Sequence, residues 1–255
     1  MTATVPIAVQ LYSLREQAGI DFEAVLRSVG SMGYVGVELA GFNGLTPARL
    51  SQVLADNDLV VASAHVGSLD ADALHTALDD IQAVGCNTAV AAFLPPASFE
   101  SLDAVRSSAA ALASACEIAN SRGVSFGYHN HWWEFENIFD GKAAWSHLFA
   151  LTTPALFAEL DVYWATVGRT DPCDAIAELG ERVRLLHVKD GPADDPKSAM
   201  VAVGQGSIDI ARILGSAPAA TWHIVELDRC DTDMALAIEA SYQHLVGSGL
   251  SRGRG

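Results

Sequence analysis

The sequence predicts a (β/α)8 barrel, and three observations carry that prediction. Short apolar runs alternate with helical patterns along the whole of the 255-residue chain. Eight such pairs can be counted, in a length that suits one barrel as a single domain, residues 1–255. Most of the runs finish on a polar side chain able to do chemistry, as strands do where they open onto the C-terminal face of a barrel.

The elements follow in order. Pro6–Leu11 is the first strand, and its helix places Phe22, Val25, Leu26, Val29 and Met32 on one face, with Asp21 as cap and Gly33 as stop. Tyr34–Leu39 is the second strand; Thr46 followed by Pro47 opens a helix that runs to about Asp56. Leu59–His65 precedes a helix over 70–84 that ends at Gly85. Asn87–Phe93 is closed by Pro95 and Pro96, and a long alanine-rich helix runs from Phe99 to Ser121. Val124–His129 is followed by a helix over 141–151, and residues 155–161 form the sixth strand, followed by a helix from Asp171-Pro172 to near Gly180. Val183–Val188, a polar loop over 190–206 and a helix over 207–215 come next. Thr221–Leu227 and a helix over 233–247 complete the eight pairs, and residues 250–255 are expected to be a flexible tail. The strands are apolar on both faces, as a buried parallel sheet requires. A doubly wound open sheet competes less well, because it usually has fewer units and a glycine-rich first turn, and Gln10–Leu14 contains no glycine.

Half the residues are apolar and 18% are charged, enough for a substantial core. A net charge of −16 and the lack of a basic stripe argue against nucleic acid and anionic membranes as partners. Cys86, Cys116, Cys173 and Cys230 form no CxxC pair, which points to reduced thiols rather than thiolate zinc. The N-terminus has no signal-peptide pattern, and no apolar stretch reaches the ~18 residues of a membrane span. A cytoplasmic protein is expected.

Side chains two apart on a strand share a face. Phe157, Glu159 and Asp161 therefore point one way, as do Val183, Leu185, His187 and Lys189, and as do Trp222, Ile224 and Glu226. Each set ends on a potential ligand, and Gln10, Glu38 and His65 hold the same place on the first three strands. Asp161, His187 and Glu226 make the strongest set. Each has a plain structural reading beside it, a loop cap for Asp161 or a satisfied core imidazole for His187, but three ligand types at equivalent strand ends favour a metal. Mixed carboxylate and imidazole suits Mn²⁺ first, then Zn²⁺, Co²⁺ or Fe²⁺, with Mg²⁺ also compatible.

The fourth ligand comes from His129 or His131, with Glu134 as the competing donor. Trp132 and Trp133 offer a flat apolar wall that would stack on a sugar ring, or else pack a loop or a homo-oligomer contact. Lys189 is placed to anchor a substrate oxygen or stabilise an enolate, or to pair with Asp190 or Glu226. Glu159, deeper than Asp161, suits a partner holding His187. Gln10, Glu38, His65, Trp133 and Glu134 are the expected substrate contacts. Gly204-Gln205-Gly206 is too short for a phosphate loop, and Lys and Arg are scarce near the strand ends, which argues against a phosphorylated substrate.

At these residues the chain resembles the sugar phosphate isomerase/epimerase superfamily, the xylose isomerase-like TIM barrels. The resemblance rests on VQLYSLR at 9–15, GYVGVELAGF at 33–42, SAH at 63–65, YHNHWWEF at 128–135, ELD at 159–161, HVKDG at 187–191, GQG at 204–206 and VELD at 225–228. It implies a metal site of Glu, Asp, His and Glu from strands five to eight. Asp161, His187 and Glu226 carry over, while His129 stands where the epimerases have glutamate, which sets this chain closer to dehydratase-like members. The resemblance also implies removal of the proton next to a sugar carbonyl, with Glu226, His129, His131 and Lys189 as the catalytic candidates. The enolate is then reprotonated in an isomerase or epimerase, or expels a β-leaving group in a lyase such as a dehydratase or 3-keto-glycoside eliminase. A phosphodiesterase would want more ligands and a basic groove. A non-catalytic sugar-binding barrel is the remaining alternative.

Overall fold

A computed structural model describes residues 4–254. Eight parallel strands close into a barrel: β1 Ile7–Gln10, β2 Gly36–Leu39, β3 Val60–Val66, β4 Thr88–Ala91, β5 Ser125–His129, β6 Phe157–Asp161, β7 Val183–Val188 and β8 Trp222–Val225. Each strand pairs with its neighbours in the chain, and β8 closes on β1 with Ile7 opposite His223 and Val9 opposite Val225. The outer ring holds α1 Arg15–Met32, α2 Pro47–Asp56, α3 Ala71–Ala83, α4 Leu102–Ser121, α5 Ala144–Leu151, α6 Pro172–Leu179, α7 Ile210–Ser216 and α8 Met234–Gly247. Among the described residues, no helix is long and apolar enough to cross a membrane.

The caps expected from sequence are formed. The Thr46 hydroxyl accepts from Arg49 N, and the Asp171 carboxylate accepts from Cys173 N. Asp21 also caps, accepting from Ala24 N at 2.8 Å, but it does so inside α1, where its non-helical backbone (φ −151°) marks a kink. The first helix therefore starts at Arg15, about two turns before the apolar periodicity begins at Phe22. A small hairpin of Ile138–Phe139 and Lys142–Ala143 occupies the start of the helix expected over 141–151, which begins instead at Ala144.

Two apolar layers result. The larger lies between strands and helices, with Leu26, Leu50, Leu78, Leu112, Leu148 and Ile238 among its buried members. The smaller fills the barrel itself with Ala8, Ala62, Val90, Phe157, Leu185 and Ile224. Phe157 takes so much of that interior that a Cβ on Gly127 would lie 2.2 Å from its ring. Inward side chains above this plug, toward the strand C-termini, are polar: Gln10, Glu38, Ser63, Glu159 and His187, all buried. The parity read from sequence holds above that plug but fails at Val183, which packs in the outer layer, away from Leu185, where the β6–β7 register shifts between Ala158 and Glu159.

The flexible tail expected for 250–255 is corrected. Arg252 N donates to Val5 O at 2.8 Å and Ile7 N to Arg252 O at 3.1 Å, so the segment adds a backbone pairing below β1. Arg254 binds the carbonyls of Gly30 and Asn57. Met1–Ala3 and Gly255, which bear on the N-terminal reading and the end of that tail, lie outside the described residues.

Candidate metal centre

Four strand ends converge. Ligand-type atoms of His129, Asp161, His187 and Glu226 all lie within 4.8 Å of one another, and all four residues are buried. His187 Nδ1 is 2.8 Å from Glu226 Oε2, and His129 Nε2 is 3.8 Å from Asp161 Oδ2. Of the three donors that competed for the fourth place, the β5 histidine is the one in the group.

The far nitrogen of each histidine is held by a carboxylate. His187 Nε2 lies 2.6 Å from Glu38 Oε2, and His129 Nδ1 lies 3.1 Å from Glu159 Oε2. Such a partner fixes the tautomer and turns the opposite nitrogen toward a metal. Glu38 is itself anchored by Gln10 Nε2 at 2.7 Å and by the Ser63 hydroxyl at 2.6 Å. Glu159 was expected to hold His187; its shorter contacts are with His65 at 2.7 Å and His129 at 3.1 Å, against 3.2 Å to His187. The wide reach of Glu159 also makes a second grouping of His65, His129, Glu159 and His187. There the imidazole nitrogens converge on one carboxylate oxygen, the arrangement of hydrogen-bond donors around an anion.

Asp161 satisfies both of its sequence readings at once. Its Oδ1 accepts from Trp164 N at 2.9 Å, capping the short helix Val162–Val167. Among the described residues its buried Oδ2 receives no aligned hydrogen bond; it faces Lys189 Nζ at 2.9 Å. Asn130 positions the backbone beneath, accepting from Asp161 N at 2.9 Å and donating to Asp161 O at 3.2 Å. An unsatisfied buried carboxylate oxygen, a free His129 Nε2 and a mixed nitrogen and oxygen set fit a divalent cation.

The charged groups of the cluster are paired with one another. Burial pulls the Lys189 ammonium down, but Asp161, Asp228 and Glu226 outweigh it and hold the group well above its usual range. Its Nζ lies 2.6 Å from both Glu226 Oε2 and Asp228 Oδ2. Burial likewise opposes a charge on His187, and Glu159, Glu38 and Glu226 overcome it. Burial, with His187 and His65 adding to it, keeps His129 neutral well below its ordinary value. Asp161 is pushed up to about 6 by burial, against the pull of Lys189.

The expected substrate residues divide. Only His65 lies on the wall of the cavity of about 590 Å³ above the cluster, together with His129, His131, Glu226 and Asp228. Glu38 lies one layer below and holds His187, and Gln10 in turn holds Glu38. Trp133 is buried behind His131, its ring stacked on the imidazole at 4.4 Å and 7°. Glu134 is turned away: its carboxylate accepts from Tyr128 Oη at 2.6 Å and His131 N at 3.0 Å, and burial raises it to about 8. Set in the helical turn Trp133–Glu136, it belongs neither to the ligand-type group nor to the cavity wall. Burial keeps His131 neutral, and its Nδ1 has no partner among the described residues.

Tyr12, Phe93 and Asp228 complete the cavity and were not singled out from sequence. Asp228 was within reach, since it shares parity with Glu226. Tyr12 and Phe93 follow strand ends as ordinary hydrophobic residues, and residue type alone does not mark them.

This fold is that of the xylose isomerase-like TIM barrels. The family model for that group matches residues 26–240, and the chain belongs to the family. A sugar phosphate isomerase/epimerase from Parabacteroides distasonis superposes with a TM-score of 0.85 at 22% identity, over 97% of this chain and 100% of that one. A probable 3-DHS dehydratase involved in petrobactin synthesis, from Bacillus anthracis, gives 0.74 at 16%, over 94% and 98%. An IolI protein with a bound zinc atom gives 0.75 at 12%, over 96% and 98%. At these identities the likeness establishes the fold. No curated protein matches the sequence.

Proposed function

We propose that the chain is a divalent-metal-dependent enzyme that removes the proton next to the carbonyl of a keto-sugar or sugar derivative. The observation that carries this reading is the group of His129, Asp161, His187 and Glu226, each from a different strand, with both imidazoles held by carboxylates from behind. Mn²⁺ is the first expectation, with Zn²⁺, Co²⁺, Fe²⁺ or Mg²⁺ compatible with the donor set. A bound divalent cation supplies Lewis acidity that acidifies the carbon next to a carbonyl.

The chain's own groups do the rest. Glu226 uses Oε2 toward His187 and Lys189, which leaves Oε1 as the oxygen for the cavity that the residue lines. It is the base we assign to the proton. Lys189 keeps a fixed positive charge against Asp161, Glu226 and Asp228, and an enolate oxygen gains from it only as those carboxylates turn to the cation. His131, held neutral by burial, lines the same cavity and is the group we assign to a second proton. Positioned proton transfer of this kind is typically worth about 10²–10⁴-fold. The four free cysteines accord with a cytoplasmic setting.

Reprotonation of the enolate gives isomerisation or epimerisation. One observation favours the other fate, β-elimination as in a dehydratase or 3-keto-glycoside lyase. Among the described residues no second carboxylate faces Glu226 from β5, because His129 stands there and Glu134 is tied to Tyr128. Incubation with keto-sugars in D₂O separates the two. Deuterium in recovered sugar of unchanged formula supports the isomerase, and an unsaturated or cleaved product supports the lyase. Neither, for any keto-sugar tried, would defeat the proposal.

A further inference from the structure

In barrels of this kind a phosphate group is often held by backbone N–H groups of the loops after the seventh and eighth strands. The β7–α7 loop here has such a cradle, and it is filled. The carboxylate of Asp190 accepts from Gly191 N at 2.8 Å, Gly204 N at 2.9 Å, Gly206 N at 3.0 Å and Ile208 N at 3.2 Å. Four donors on one buried carboxylate reproduce what a phosphate would receive. There is no room to share it, because a Cβ on Gly206 would lie 2.0 Å from Asp190 Oδ1. The HVKDG and GQG motifs are thus two halves of one internal closure.

The cavity wall, among the described residues, lacks the lysine or arginine that would hold a phosphate. Among the described residues its wall carries Glu226 and Asp228 and neither lysine nor arginine. Lys189 is 1% exposed, with its ammonium enclosed by three carboxylates. The adjacent Arg15 donates to the carbonyls of Tyr12 and Asp228 and lies over the Tyr12 ring at 4.4 Å. What the rim offers is aromatic: Tyr12 is 45% and Phe93 54% exposed, at the ends of β1 and β4. Aromatic rings at a cavity mouth suit the apolar C–H faces of a sugar.

We propose that this site selects uncharged sugars and rejects their phosphate esters, through the Asp190-filled cradle and a cavity wall that carries carboxylates but neither lysine nor arginine. The inference rests on the sugar-directed reading above, but concerns recognition rather than reaction. The test is calorimetric titration of the metal-loaded full-length protein with matched pairs, each a neutral keto-sugar and its own phosphomonoester. The neutral member is expected to bind at least about ten-fold more tightly. Asp228→Asn is expected to narrow that ratio, since it removes one repelling carboxylate. Equal or tighter binding of the phosphate esters overturns the proposal, as does failure of every neutral sugar to bind. Neutral-sugar binding without deuterium exchange would sink the enolisation reading and leave this one standing. Phosphate-ester preference with exchange would do the reverse.

Discussion

Glu38 Oε2 lies 2.6 Å from His187 Nε2, so the second strand holds the ligand of the seventh across the barrel. The imidazole cannot rotate without breaking that bond, and Nδ1 stays aimed at Glu226. Glu38→Gln should keep the fold, because Ser63 and Gln10 still have a polar partner. Metal affinity should fall by about 10–100-fold, the usual effect of losing such a partner. Titration calorimetry with Mn²⁺ checks it, and unchanged affinity would remove Glu38 from the account.

Lys189 neutralises the same carboxylates that a cation would bind. In the metal-free protein its replacement takes the lysine countercharge from buried Asp161 and Glu226 and from half-buried Asp228, and leaves Glu226 with His187 alone. Lys189→Met should therefore lower stability by about 3–5 kcal/mol in chelator. Added metal should recover much of that loss, since it restores positive charge to the same oxygens. Thermal unfolding with and without chelator reads both effects. A variant equally stable in the two conditions would mean that lysine and metal do not share these oxygens.

The pH dependence follows from Asp161. Burial raises its carboxyl from 3.8 to about 6, so the folded metal-free chain keeps a proton that the unfolded chain releases. That contribution to stability is fully present below about pH 4 and is lost as pH rises through about 6. Metal binding has the opposite sign, because it needs the carboxylate. Apparent affinity should drop by roughly ten-fold per pH unit below about pH 6. Titrations between about pH 5 and about pH 7 that gave a flat affinity would exclude Asp161 as a ligand.

Gly206→Ala tests the closure around Asp190. The added methyl meets Asp190 Oδ1 and Gly191 N, neither of which is the loose end of a long side chain. Overpacking of this sort costs about 1–3 kcal/mol, which lowers the melting temperature by about 2–4 °C for each kcal/mol in a chain of this size. No change in thermal unfolding would show that the loop has a conformation other than the closed cradle.

Much of the site was legible because a strand alternates with period two. Parity alone aligned Asp161, His187 and Glu226 at equivalent heights, and the structure brings them together with His129. What sequence could not convey was depth and direction across the barrel. Parity reads Glu159 as deeper than Asp161, but Glu38 and Gln10, the expected substrate contacts, also lie one layer lower and serve as supports. Glu134 shows the opposite failure: it follows the strand end by only a few residues, but one helical turn rotates it away from the cavity. The tail misled for a related reason, since a glycine-rich composition says nothing about backbone pairing with β1.

The central claim is that four strand ends hold one divalent cation. Metal analysis of the purified protein after incubation with Mn²⁺ or Zn²⁺ and dialysis, beside Asp161→Ala treated identically, tests it most directly. The wild type should retain about one ion per chain and the variant close to none, with both folded by circular dichroism. A wild type that retains no metal, or a variant that retains as much, would contradict the account.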